Sequence, residues 1–140
     1  ILNSVIGVMK IFLLSFLLII SVVSCSNADE DCMCTEEYRF FLVTVVDTLG
    51  IPVDSLDVII RDKDGDELDV VQESYAFGPG KYTVLNDSFI QMFCACGTSQ
   101  KIYFSATDGN RVAAGEFLFN TDECKCHINK VEGPDTLVLR

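Results

Sequence analysis

The sequence predicts an all-β fold, an antiparallel β-sandwich of about seven to eight strands, on three observations. Apolar residues beyond position 37 recur with period two, the pattern of a strand with one buried face. Turn residues such as KDGD, GPG, TDGN and EGP break these runs about every ten residues. No segment carries a sustained helical stripe with caps at its ends, and without crossover helices parallel pairing is not expected.

In YRFFLVTVVD, Phe41, Val43 and Val45 share one face while Phe40, Leu42 and Val46 occupy the other, so this strand is expected to be central. LDVIIRD puts Leu56, Val58 and Ile60 on one side and Asp57 and Arg61 on the other, and the Asp-Gly of KDGD then signals a tight hairpin. Further strands are expected at ELDVVQ, KYTVL, SFIQMFCAC, KIYFSAT, AAGEFLFN, CHINKV and DTLVLR, with DSFIQMF the best candidate for a short helix. Gly115 is expected to mark a bulge, because the apolar face changes parity between Val112 and Phe117.

The first 24 residues have a different character. Ile11 to Val23 is a run of thirteen apolar or serine residues preceded by Met9 and Lys10, the charged and hydrophobic regions of a secretory signal, with Met9 the expected initiator. Thirteen residues are too short to span about 30 Å of hydrocarbon as a helix. The run closes in Val22, Val23, Ser24 and Cys25, which resembles the lipobox of bacterial lipoproteins; that resemblance implies cleavage before Cys25 and acylation of it. The acidic SNADED that follows is similar to the segment behind the lipidated cysteine of surface-exposed lipoproteins in the Bacteroidetes group, which implies an outer-membrane protein displayed on the cell surface. The expected organisation is a signal peptide over 1–24, an acidic linker over 25–37 and a β-sandwich over 38–140.

Beyond the leader, nine basic residues face twenty-one acidic ones. Such a surface repels phosphate backbones and excludes nucleic acid as a partner. The acids alternate with Val, Ile, Phe and Leu rather than forming a tail, which describes a folded domain with an acidic exterior.

The order of motifs in VTVVDTLGIPVDSLDVIIRDKDGDE and FGPGKYTV resembles the prealbumin-like sandwich of carboxypeptidase regulatory-like domains. The residues that carry the likeness are Asp47, Gly50, Pro52, Val58, Ile60, Asp62, Gly65, Gly80, Tyr82 and Val84. It covers Phe41 to Leu85, and the cysteine doublets lie outside the family pattern. The resemblance implies an accessory module without catalytic residues of its own.

Seven cysteines fall as Cys25 and the doublets Cys32/Cys34, Cys94/Cys96 and Cys124/Cys126. In an extended strand, residues i and i+2 lie about 6.6 Å apart, too far for a disulfide and unsuited to the turn-borne Cys pairs of zinc sites. Export favours oxidation, so the six paired cysteines are expected in disulfides. If no doublet closes on itself, each bonds once to each of the others, a triangle with eight possible arrangements. His127, the one histidine, is expected to be exposed and inert at the start of a strand.

Asp62, Asp64, Asp66 and Glu73 occupy positions one, three, five and twelve of an EF-hand loop, but Glu67 replaces the required glycine, so a plain hairpin turn with solvated acids is expected. There is no tryptophan for a carbohydrate platform; Tyr75, Phe77, Tyr82 and Phe89 could form a small patch but are expected in the core. Neither a cofactor nor a metal-ligand set is expected, and no catalytic residue. The function expected is that of a non-enzymatic protein held to the membrane by lipid on Cys25, serving an outer-membrane protein partner. A thiolate metal-binding envelope protein is the alternative, and a small-ligand or glycan binder a further one.

Overall fold

The computed structural model describes residues 32–94 and 97–140; the expected leader, Met9, Cys25 and Cys96 lie outside the described residues, as does the side chain of Tyr75. Among the described residues seven strands form two sheets: β1 (Phe40–Val46), β2 (Asp57–Arg61), β3 (Lys81–Asn86), β4 (Gln100–Thr107), β5 (Val112–Thr121), β6 (Ile128–Glu132) and β7 (Thr136–Val138). One sheet has the order β3-β1-β7 and the other β2-β4-β5-β6, which makes the molecule an all-β sandwich with β1 central in its sheet.

Alternation puts Val43 and Val45 of β1, Ile60 of β2, Ile102, Phe104 and Ala106 of β4, and Ala113, Phe117 and Phe119 of β5 into the space between the sheets. Aromatic edges join the layers there: Tyr82 lies 6.3 Å from Phe104, and Phe41 lies 5.1 Å from Phe119. In β3 the register slips opposite Phe41 and Leu42, and Tyr82 to Leu85 are all buried.

Four sequence expectations are corrected. ELDVVQ does not form a strand beyond a single bridge between Arg61 and Glu67. Its Gln72 side chain does what a neighbouring strand would do, accepting from Thr83 N and donating to Thr83 O, both at 2.9 Å, and so closes that edge of β3. SFIQMFCAC is not a strand up to Met92: Asn86 accepts from Ser88 N, and a 3-10 helix runs over Asp87–Met92. β7 lies parallel to β1, pairing Thr44 with Thr136 and Val46 with Val138; it arrives from the other sheet, so no hairpin dictates its direction. Gly115 is not a bulge, because β4 and β5 pair without interruption and Val112 faces outward. A Cβ there would come within 2.9 Å of Leu137, so the glycine makes room for β7. The register shift of β5 falls instead at Leu118 and Phe119, against β6.

The D-x-x-G-x-P and G-x-Y elements interlock at one end of the sandwich. Asp47 Oδ1 accepts from Leu49 N and Ile51 N at 2.8 and 2.9 Å and shapes the turn. Pro52 then packs so close to Gly80, φ +66°, that a Cβ on Gly80 would sit 2.7 Å from Pro52 Cβ and 2.8 Å from Val45 O. Tyr82 donates its hydroxyl to Val53 O at 2.8 Å and accepts from Leu56 N at 3.2 Å. Gly80→Ala is therefore expected to destabilise the domain by about 3 kcal/mol or more, through both strain and clash. Tyr82→Phe, which strands two backbone groups, should cost about 1 to 3 kcal/mol. Urea unfolding measures both, and a Gly80→Ala domain as stable as the parent would refute this account of the turn.

Candidate functional site

Cys32, Cys34, Cys124 and Cys126 gather at the other end, where residues 32–39 lie along the loop between β5 and β6. Asp122 builds that loop: its Oδ1 accepts from Cys126 N at 2.7 Å, and its carbonyl accepts from Lys125 N at 3.0 Å. Lys125 adopts the left-handed conformation, φ 55°, so CKC is a turn rather than an extended strand. Neither does the segment carrying Cys32 and Cys34 belong to a strand. Neither the first nor the last doublet therefore has the i to i+2 spacing of an extended strand.

Two disulfides join the segments. Cys32 bonds Cys124 with Cα atoms 5.6 Å apart, and Cys34 bonds Cys126 at 5.3 Å, each across 92 residues. Equal separations mean that the two segments run in the same direction, like the rails of a ladder with two rungs. This corrects the triangle: the first doublet sends both sulfurs to the last one and none to the middle one. Cys94 is disulfide-bonded as well. Paired sulfurs are neither thiolate ligands nor nucleophiles, so in this state Cys32, Cys34, Cys124 and Cys126 offer nothing to a metal or an electrophile.

His127 is not exposed. It is 6% accessible and spans two partners, with Nδ1 2.8 Å from Asp87 Oδ2 and Nε2 2.9 Å from Thr35 Oγ1. Against an ionised carboxylate Nδ1 carries the proton and donates to Asp87, while Nε2 is hydrogen-bonded to the Thr35 hydroxyl. Asp87 also accepts from Arg39 N at 3.0 Å and Ile128 N at 2.9 Å. Burial alone would push its carboxyl upward, but these hydrogen bonds from Ile128, His127 and Arg39 outweigh it and hold the group below the usual carboxylate range. Tyr38 donates to Asn86 Oδ1 at 2.9 Å and pairs with Ser88, while Arg39 Nη1 donates to Asn129 Oδ1 at 2.8 Å.

The other candidate residues are placed apart from this cluster. Asp62 Oδ1 accepts from Asp64 N and Asp66 N, both at 2.9 Å, so its carboxylate shapes the hairpin turn. Among the described residues no group of three or more His, Cys, Asp or Glu side chains is arranged to hold a metal ion. Tyr82 is buried and Phe89 packs against the core, whereas Phe77 stands 5.1 Å from Phe40, which in turn meets Tyr38 at 5.0 Å. These rings form a surface row that strand periodicity did not single out. Thr35, Asp87 and Asn86 were likewise not singled out; the turn-forming run Asn86, Asp87, Ser88 was the one sign available.

Comparison with protein-family models, curated proteins and solved structures finds no match.

Two measurements check this geometry. In the chain-entropy model a bond across 92 residues contributes about 4.6 kcal/mol. Once one rung is closed, the other closes a ring of only about five residues and adds about 2 kcal/mol. Replacing either cysteine pair by serine should therefore cost about 2 kcal/mol, and replacing both about 6 to 7, a non-additivity visible in urea midpoints. Asp87 tests the hydrogen-bonded carboxylate. Because its folded pKa is lowered, its contribution is complete above the ordinary carboxylate value and is lost as pH falls through the folded one. Stability measured from pH 5 downward should fall less steeply in Asp87→Asn than in the parent, and an identical slope would show that the carboxylate is not linked to folding.

Proposed function

We propose that this is a lipid-anchored envelope protein, exported by residues 1–24, acylated on Cys25 and displayed at the outer membrane. Its sandwich serves there as a non-enzymatic accessory or interaction module for a membrane-associated protein partner. The observation that carries the reading is the pair of disulfides at Cys32 and Cys34, seven and nine residues after Cys25. Exposed disulfides that tie a segment to a domain belong to an oxidising compartment, and here they begin directly after the acidic run Asp29, Glu30, Asp31 that follows a lipobox-like leader. The interlocked Asp47, Pro52, Gly80 and Tyr82 support kinship with the prealbumin-like accessory domains, whose modules assist larger assemblies.

Mass spectrometry of the protein isolated from membranes is expected to find an N-terminus at Cys25 that carries acyl chains. Cys25→Ala should leave an uncleaved precursor or release the protein from the membrane fraction. A normally processed, membrane-bound Cys25→Ala protein would sink the proposal. Protease shaving of intact cells, with and without charge reversal of Asp29, Glu30 and Asp31, checks surface display.

A further inference from the structure

Residues 32–37 form a strap held to the domain from outside. Cys32, Cys34 and Cys124 are exposed, whereas His127, which Thr35 of the strap meets, is nearly inaccessible. Besides the two disulfides, the strap is tied by the hydrogen bond between Thr35 and His127 and by an exposed ion pair between Glu37 and Arg39. One hydrogen bond and one exposed ion pair do not offset the conformational entropy of ordering six residues, so the covalent rungs keep the strap in place. Exposed disulfides are open to attack by an incoming thiolate, as buried ones are not.

We propose that the two rungs are a redox site whose reaction partner is a dithiol of the envelope, and that opening both frees the strap from His127. In each step a thiolate of the dithiol attacks one sulfur of a rung and forms a mixed disulfide, and the displaced cysteine sulfur takes up a proton. The second thiol of the dithiol then resolves the mixed disulfide, leaving two cysteine thiols in the protein and an oxidised dithiol, two electrons per rung and four in all. Opening one rung does not release the strap, because the other holds the two freed thiols within reach of each other. The ladder thus responds only to a reductant that opens both rungs.

The consequence lies in the tether, and this part rests on acylation of Cys25. With the rungs closed, the chain from the anchor joins the domain at Cys32 after seven residues, a reach of at most about 25 Å. With both open it joins at Tyr38 after thirteen, at most about 45 Å. The site would set how far the sandwich stands from the membrane.

The chain holds one histidine, so its imidazole signals in the NMR spectrum report on the strap without ambiguity. In the oxidised full chain a soluble gadolinium chelate is expected to relax the His127 ring protons no faster than the methyls of Val43, which are wholly buried. After dithiothreitol the His127 enhancement should rise about fivefold or more while that of Val43 stays unchanged. The Cys34→Ser, Cys126→Ser variant retains the outer rung and is expected to stay shielded until reduced; a variant lacking all four cysteines should be unshielded from the outset. A His127 that remains shielded when peptide mapping after alkylation shows Cys32, Cys34, Cys124 and Cys126 all free overturns the proposal. So does loss of shielding at Val43 together with His127, which would make reduction an unfolding of the sandwich. None of these readings depends on lipid, which the mass of the Cys25 peptide scores separately.

Discussion

The carboxylate of Asp87 gathers three donors from two separate stretches of chain: Arg39 N just before β1, and the His127 ring with Ile128 N where the β5–β6 loop enters β6. It stands directly after β3, so one side chain ties the sheet containing β1 and β3 to the sheet containing β6. A buried charge is tolerated only where hydrogen bonds replace its water, and three charge-assisted bonds meet that need. The rest of this end follows from it. His127, fixed by Asp87 through Nδ1, presents Nε2 to Thr35, and the loop that carries His127 also carries the sulfurs that receive Cys32 and Cys34.

The two ends of the sandwich are closed by different physics. At the end holding the 47–52 turn, closure is steric and local: Gly80 without a side chain admits Pro52, and the buried Tyr82 hydroxyl serves two backbone groups. Nothing there can be opened without dismantling the fold. At the opposite end closure is covalent and external, with the sulfurs on the outside and the polar network beneath them. Chemistry that leaves the core intact can change that end alone. The edges differ in the same spirit. β3 is capped by the amide of Gln72, which satisfies Thr83 N and O and leaves a foreign strand no backbone to pair with at that residue.

Legibility in the sequence tracked the range of the interaction. Period-two alternation marked β1, β2, β4 and β5, because a strand buried on one face must alternate whatever lies opposite. Turn chemistry was legible for the same reason: Asp47 and Asp62 bond the backbone within four residues of themselves. Gly115 was misread because its requirement comes from Leu137, a residue of another strand. ELDVVQ looked like a strand because its apolar residues do approach the core, yet its pairing runs through a side chain, which no periodicity reveals.

The sequence by itself determined an all-β sandwich, its central strand, its acidic exterior and the presence of disulfides, since each depends on composition or on neighbours a few residues away. Only the tertiary structure decided which cysteines meet, why His127 is buried, and which direction β7 takes. Cys32 and Cys124 are 92 residues apart, and their meeting depends on Lys125 turning left-handed and on Asp87 drawing β1 and β6 together. Those are properties of the folded chain rather than of any local stretch of it, because a partner that far away is chosen by packing and not by spacing.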